Sequence, residues 1–384
     1  MKMLNAWTLE VDDPKVALPE IFGQLDLDNS LLKHAVGFIT CSYDFIESGM
    51  VKAVCDALPF SVIGGTTLTN AVNSEAGAMV LCLSVLTSDD CSFSSVVTAP
   101  LQDDLDAVIA DDYSRALAEL GETPKVILAF LPMMGNIGGE IVLNSLNTAA
   151  DGVPIFGTVA CDFDTASYSN SFTIYNGECF RDSMSLLLIG GNTNPRFVVT
   201  STSDQNLFKQ QAIITSAKGT VLKSVNGVCA REYFTSIGLI QGSGIEGVSS
   251  VPFIVDYNDG TQPVARAVYS LNDDGSALCG GIMPEGGKLA LGRMDVDDIL
   301  LTTEQSVRKL LAFDECNAVI LFPCLGRNMV LGVDPLAETK IVQSLLGDSV
   351  PWHLAYSGGE VCPVYDRDGT VNRFHNFTFI ACVL

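Results

Sequence analysis

Short apolar runs, each closed by turn-forming residues, recur along the first half of this chain. Residues 36–42 read VGFITCS, and a helix-like stretch follows and ends near Leu58. SVIGGTT (61–67) and AGAMVLCLSVL (76–86) come next. The same order returns in KVILAFLP (125–132), the helical GGEIVLNSLNTAA (138–150), VPIFGTVACD (153–162) and DSMSLLLIGG (182–191). Runs of strand length that stay apolar at successive positions predict strands buried on both faces. Ile63-Gly64-Gly65-Thr66 aligns with Ile155-Phe156-Gly157-Thr158, and Met79 with Met184, with an extra stretch, SYSNSFTIYNGECF, in the second copy. The pattern predicts a duplicated strand–helix–strand–strand unit over about 30–100 and 120–200, within an N-terminal domain spanning 1–218. The period is too long for a solenoid.

From residue 219 to 384 the pattern changes. TVLKSV (220–225) runs into Asn226-Gly227, a strong turn signal. A helix is predicted over Cys229–Leu239, followed by strands FIVDY (253–257), ARAVYSL (265–271), SALCGGIMP (276–284) and KLALGRM (288–294). Helices around Leu301–Phe313 and Leu336–Leu346 alternate with NAVILFPCLGR (317–327) and HLAYSGGEVCPV (353–364), and FHNFTFIACVL (374–384) closes the chain. Helices mingle with strands throughout, so the fold class is mixed α and β (α+β / α/β), a duplicated N-terminal domain packed on a mixed-sheet C-terminal domain. No low-complexity linker separates the two, which predicts close packing.

Composition sharpens this picture. Of the 384 residues 48% are hydrophobic and only 17% charged, with mean hydropathy +0.32, so much of the chain is interior. No apolar run reaches the roughly 18 to 20 residues that span a bilayer, and MKMLNAWTLEVDDP lacks the apolar segment of a secretory signal. The 12 cysteines form no CxxC pair and sit mostly inside apolar segments, as reduced cysteines do. A soluble protein of a reducing, cytoplasmic compartment is expected. The net charge of −24 repels phosphate backbones and anionic lipid, which excludes nucleic acid and membrane insertion from the expected partners.

Several motifs fail on context. Gly242-Ser243-Gly244-Ile245-Glu246-Gly247 fits G-x-G-x-x-G, but a helix is predicted before it and a strand after it, the reverse of a dinucleotide site. The phosphate-binding loop, H-E-x-x-H and G-x-S-x-G are absent, and no cofactor is expected. The three histidines, His34, His353 and His375, are far apart and show no metal-ligand spacing. Cys324, His375 and Glu360 could meet at neighbouring strand ends as a thiol-hydrolase set, but no local nucleophile signature surrounds Cys324. Asn376-Phe377-Thr378 matches the glycosylation triplet inside an apolar strand, a chance match.

Three stretches in order resemble the FIST family of F-box and intracellular signal transduction proteins: FPCLGRNMVLG (322–332), YSGGEVCPV (356–364) and FHNFTFIACVL (374–384). Cys324, Gly326 and Arg327 match its cysteine–x–glycine–arginine turn, Gly359, Glu360 and Pro363 its glycine–glutamate before a proline, and Asn376 and Thr378 its terminal strand. GFITCSYDF, IGGTTLTN and FGTVACD resemble its N-terminal half. The resemblance implies a sensory module of an N-terminal and a C-terminal FIST domain. It also implies a small-molecule ligand, with amino acids among those suggested for the family, and output through attached or neighbouring proteins. The chain has no room for a kinase, cyclase or F-box segment, so output is expected through a signalling protein acting in trans. A homo-oligomer is compatible with all of this.

Two rivals stand beside the sensor: an enzyme using Cys324 or Glu360, held the less favoured, and a non-catalytic scaffold. The candidate ligand residues are Cys324, Arg327, Tyr356, Glu360, His375 and Asn376 in the second half, with Thr66, Asn70 and Asp162 in the first. Arg327 and Glu360 either pair as a structural bridge or flank a cavity, with Arg327 gripping a ligand carboxylate and Glu360 an ammonium group. Tyr356 and His375 would line that cavity and Cys324 would be its small apolar wall. Thr66 and Asn70 offer donors and acceptors beside Gly64-Gly65, or merely cap a bend. Asp162 faces a cation or solvent.

Overall fold

A computed structural model describes all residues except 103, 136, 165–166, 168, 241–245, 314–315 and 366–368, and excepting the side chain of Glu246. The fold is mixed α and β, as expected. Its strand order repeats three times. The first repeat holds β1 (Lys2–Thr8), α1 (Pro14–Leu25), α2 (Leu27–Ser30), β2 (His34–Cys41), α3 (Asp44–Glu47), α4 (Met50–Asp56), β3 (Val62–Thr66), the hairpin β4 (Asn70–Val72) and β5 (Glu75–Gly77), and β6 (Leu81–Ser88). The second holds β7 (Cys91–Val97), α5 (Leu105–Leu120), β8 (Val126–Leu131), α6 (Gly139–Ala150), β9 (Ile155–Val159), the hairpin β10 (Thr173–Tyr175) and β11 (Glu178–Phe180), and β12 (Ser185–Gly191).

The third repeat opens with β13 (Arg196–Thr200) and is then interrupted. The interrupting segment is β14 (Leu207–Lys218), β15 (Val221–Val225), β16 (Val228–Cys229), α7 (Ala230–Ser236), α8 (Glu246–Ser249), β17 (Phe253–Asp256), β18 (Val264–Arg266), β19 (Val268–Leu271), β20 (Ala277–Cys279) and β21 (Lys288–Gly292). It forms its own eight-stranded sheet over a separate core. The repeat resumes with α9 (Val296–Leu311), β22 (Val319–Pro323), α10 (Leu325–Leu331), α11 (Ala337–Leu346), β23 (Trp352–Ala355), the hairpin β24 (Glu360–Tyr365) and β25 (Thr370–His375), and β26 (Phe379–Val383).

Each repeat builds a six-stranded sheet in one order: β1-β6-β2-β3, β7-β12-β8-β9 and β13-β26-β22-β23. The last two places in each sheet are filled by a hairpin from another repeat. β4-β5 joins β23, β10-β11 joins β3, and β24-β25 joins β9, a closed cycle of exchange. One strand order thus occurs three times, and SYSNSFTIYNGECF holds the hairpin β10-β11, whose counterparts in the other sheets are β4-β5 and β24-β25. The parallel pairs β2–β3, β8–β9 and β22–β23 need helical crossovers, supplied by α3 and α4, α6, and α10 and α11. Gly64 and Gly157 are equivalent in these pairs: a Cβ there would collide with the carbonyl oxygen of Ile39 or Ala129 on the adjacent strand.

The inner faces of the three sheets meet in one core containing Phe38, Ile63, Phe130, Phe156, Phe322, Ala355 and Ile380. The ring centroids of Phe156 and Phe322 lie 5.3 Å apart and those of Phe130 and Phe322 5.8 Å apart. The outer faces are covered by α1 and α4, by α5 and α6, and by α9 and α11. Helix α9 shows why these helices form where they do. Asp295 accepts the Asp298 N–H at 3.0 Å as N-cap, Asp297 and Asp298 occupy the first turn and Arg308 and Lys309 the last. The capped start lies five residues before the predicted Leu301, because the polar first turn hides it from an apolar pattern.

Candidate functional site

The parallel strands of the three repeats end close together, and the backbone ties these ends to one another. Cys161 N–H donates to Thr66 O at 3.0 Å, Leu68 N–H to Tyr356 O at 3.2 Å, Tyr356 N–H to Thr69 O at 3.0 Å, and Gly358 N–H to Val159 O at 3.0 Å. Below this junction the core is aromatic, and at its level it turns polar. Phe130, Thr158, Glu360 and His375 stand in one cross-strand row on the inward face of β8, β9, β24 and β25. The cyclic exchange makes Glu360, Asn70 and Thr173 equivalent, opposite Thr158, Ala355 and Gly65 respectively. All three are fully buried.

Glu360 accepts from Thr378 Oγ1 at 2.8 Å and from Ser357 Oγ at 3.3 Å, and the Cys324 thiol lies against it. Burial pushes its pKa up to about 8, against the opposing effect of these hydrogen bonds, so the carboxyl is mainly protonated at neutral pH. Burial, and then Glu360, hold the Cys324 thiol well above its ordinary value. His375 Nε2 contacts Cys362 O at 3.0 Å, and burial pushes its pKa down to about 3. The geometry therefore places Cys324 beside a carboxyl and not beside an imidazole, without the thiolate that a nucleophile requires.

Several buried polar atoms here have no hydrogen-bond partner: Asn70 Nδ2, Thr158 Oγ1, Ser171 Oγ and His375 Nδ1. Thr66 is saturated, because its Oγ1 accepts the Phe172 N–H at 2.9 Å and bonds Phe172 O at 3.4 Å. Its hydroxyl ties β3 to the segment before β10 and does not bond within the Gly64-Gly65 bend. Thr67 Oγ1 donates to Asn70 Oδ1, which turns the Asn70 amide nitrogen away unpaired. Asp162 is only 5% exposed, which corrects the solvent-facing alternative, and its Oδ2 accepts the Asn170 N–H at 2.6 Å. Desolvation raises its pKa against backbone hydrogen bonds.

Arg327 is elsewhere. Its partner is Glu338 of α11, with Nη2 to Oε1 at 2.7 Å and Nε to Oε1 at 2.9 Å. Its remaining donors reach Ile299 O at 3.1 Å, Thr302 Oγ1 at 3.1 Å, Thr303 Oγ1 at 3.0 Å and Ser201 O at 3.2 Å. Tyr356 OH donates to Glu338 Oε2 at 2.8 Å. Arg327 and Glu360 thus form neither a bridge with each other nor two walls of one cavity. The guanidinium is fully used beneath α9, and Tyr356 belongs to its cluster through its hydroxyl and to the strand-end junction only through its backbone.

A second buried pair went unread in the sequence. Arg266 Nη2 reaches Glu140 of α6 at 3.0 and 3.2 Å, its Nη1 donates to Phe374 O, and Ile282 N–H donates to Glu140. Asn376 lies on this side, accepting from Ala267 N–H at 3.1 Å and donating its own N–H to Ala265 O at 3.3 Å. These bonds fix the interrupting segment to α6 of the second repeat and to the β25 end of the third. The available signal was Arg266 itself, a charge inside the apolar run ARAVYSL.

A surface groove of about 470 Å³ lies between the first two repeats, lined by Lys33, His34, Phe60, Ser61, Ser94 and Glu119 among others, and no candidate residue lines it. Residues 242–245 of the glycine-rich run lie outside the described residues; the four-residue α8 follows them before β17. Among the described residues no cluster of histidine, cysteine or carboxylate side chains has metal-binding geometry, and no helix is long and apolar enough to cross a membrane. All twelve cysteines are unbonded.

Comparison with known proteins gives two family matches. The FIST N domain matches residues 35–228 and the FIST C domain residues 229–363. No curated protein matches. Among solved structures, cyanuric acid hydrolase from A. caulinodans aligns at a TM-score of 0.38 with 10% sequence identity, covering 100% of this chain and 98% of that one. That likeness is too distant to bear on fold or chemistry.

Proposed function

We propose a sensory function, from the premise that this chain belongs to the FIST family, whose two domains match residues 35–363. FIST domains are signal-transduction sensor domains. In this reading the chain binds a small polar molecule where the three repeats' strand ends meet, at Asn70, Thr158, Glu360 and His375. It passes the bound state to a separate signalling protein in a reducing, cytoplasmic setting. The reading gives Cys324 no chemistry: its buried thiol packs against Glu360. Arg327 is not part of the site, so no guanidinium grips a ligand carboxylate.

The observation that carries the reading is that four buried polar atoms without a partner, Asn70 Nδ2, Thr158 Oγ1, Ser171 Oγ and His375 Nδ1, lie on the elements that meet at the strand ends, above an apolar core. Each such atom costs about 1–3 kcal/mol when buried without a partner, and interiors avoid that cost where nothing requires it. A ligand that pairs with them removes the cost. The test is thermal denaturation of the full chain with a panel of small polar metabolites, on the wild type and Thr158→Val. A hit at 100 times its dissociation constant adds about 2.7 kcal/mol. The expected result is a ligand-dependent rise in Tm that Thr158→Val removes while the unliganded Tm of the variant stays at or above wild type. A panel without a hit, or a hit that survives Thr158→Val, overturns the site.

A further inference from the structure

Resting on that reading of the site, we infer that its ligand is a small primary amine, protonated in solution, that also carries a hydrogen-bond acceptor. The unpartnered atoms set this class. Thr158 Oγ1, Ser171 Oγ and His375 Nδ1 can each accept an N–H, and an ammonium group offers three. Asn70 Nδ2 is a donor and requires an acceptor on the ligand.

Charge points the same way. Two carboxyl groups, Asp162 and Glu360, sit at the strand ends, and the hydrogen bonds that reach Glu360 among the described residues come from the uncharged Thr378, Ser357 and Cys324. The buried guanidiniums are engaged elsewhere, Arg327 by Glu338 and Arg266 by Glu140. Arg181, the cation near Asp162, is held over the Phe172 ring at 4.4 Å and donates to Ser169 O. On the His375 side Arg373 is paired with Asp259 and keeps one unpartnered nitrogen, Nε, so among the described residues a carboxylate ligand would enter beside two acids with only this half-used cation to meet it. An ammonium ion meets acceptors and one latent charge, and the net charge of −24 favours its approach.

Glu360 supplies that latent charge. Without a cation nearby its proton stays on; an ammonium group beside it favours the ionised form. Binding then follows R–NH₃⁺ + Glu360–COOH → R–NH₃⁺···⁻OOC–Glu360 + H⁺, with the proton passing to solvent. With a pKa of about 8, close to a full proton is available at pH 7.

The experiment is isothermal titration of the full chain with ethanolamine and glycinamide, and with ethylene glycol and glycolate as uncharged and anionic counterparts. Each titration is run at pH 7 in phosphate and in HEPES, whose ionisation heats differ. Both amines should bind, the counterparts should bind at least tenfold more weakly, and the difference between buffers should report nearly one proton released. Glu360→Gln should still fold and should abolish the proton release. Binding of glycolate or ethylene glycol as tight as that of ethanolamine, lost in Thr158→Val, overturns the amine class and leaves the site standing. Failure of both amines overturns the class as well. Amine binding with no buffer dependence removes Glu360 from the recognition.

Discussion

Arg327 and Glu360 are both fully buried in the third repeat, on elements that follow neighbouring strands, yet their surroundings are opposite. Every nitrogen of Arg327 has a partner, and Glu338, Thr302, Thr303 and two carbonyl groups close around it. Glu360 has uncharged partners only, two hydroxyls, a thiol and the Thr378 N–H, stays mainly protonated, and has neighbours across the strands with idle polar atoms. A saturated buried charge is a fastening, because any ligand would have to break it. Buried polar atoms that lack partners mark a place where something can still be added. Burial of a charged residue type therefore does not by itself distinguish structure from function; the state of its partners does.

The comparison can be broken at three points. Arg327→Met should have the largest effect, destabilising the fold by about 3–5 kcal/mol, because Glu338 is left buried and unpaired. Urea denaturation measures it, and Arg327→Met with Glu338→Leu should recover most of the loss. A cost under about 1 kcal/mol for the single substitution would remove the claim that this pair is a fastening.

Glu360→Gln comes next, read as a pH profile. The folded state holds this proton more tightly than the unfolded chain does. The stability it contributes is complete below about pH 4.5 and is lost as the pH rises to about 8. The loss is on the order of a few kcal/mol. His353 and His375, pushed down to about 3 by burial, act at the other end, so that stability falls as the pH drops below about 6.5. The difference between the wild-type and Glu360→Gln profiles isolates the glutamate. It should grow from pH 5 to pH 8 in favour of the variant, and parallel profiles would show that Glu360 is ionised throughout. Thr158→Val should have the smallest effect and the opposite sign, stabilising the unliganded chain by about 1 kcal/mol, because the hydroxyl it removes is buried and bonds nothing. A cost above about 1 kcal/mol would mean that this hydroxyl is satisfied in solution.

How much of this could be read in the sequence depended on distance along the chain. VGFITCS, KVILAFLP and NAVILFP showed their strands because both faces are buried and the apolar run is unbroken. β1 and β7 escaped: KMLNAWT and CSFSSVV mix polar residues into edge positions. The third repeat escaped because β13 and β22 are separated by a complete additional sheet. Thr66, Asn70 and Asp162 are marked by glycine turns after apolar strands, and each lies at or beside the backbone bonds that join the strand ends. Thr158 and Ser171 were passed over, since a threonine inside a strand and a serine inside a loop look ordinary until their partners fail to appear. The partners of Arg327 could not be read either. Glu338 lies on a different helix, and a side chain's choice among several buried acids is settled by packing.

The exchange of hairpins has a consequence for how the molecule is made. β4 and β5 leave the ribosome long before their partner, because their place beside β23 requires Trp352–Ala355, which is made far later. Until then the growing polypeptide carries an unmatched ribbon and an open apolar interior. Such long-range pairing slows folding and leaves nascent intermediates prone to clump. The ring therefore closes only once β23 has been made, and the yield in a cell depends on how well the unfinished ring is shielded while it waits.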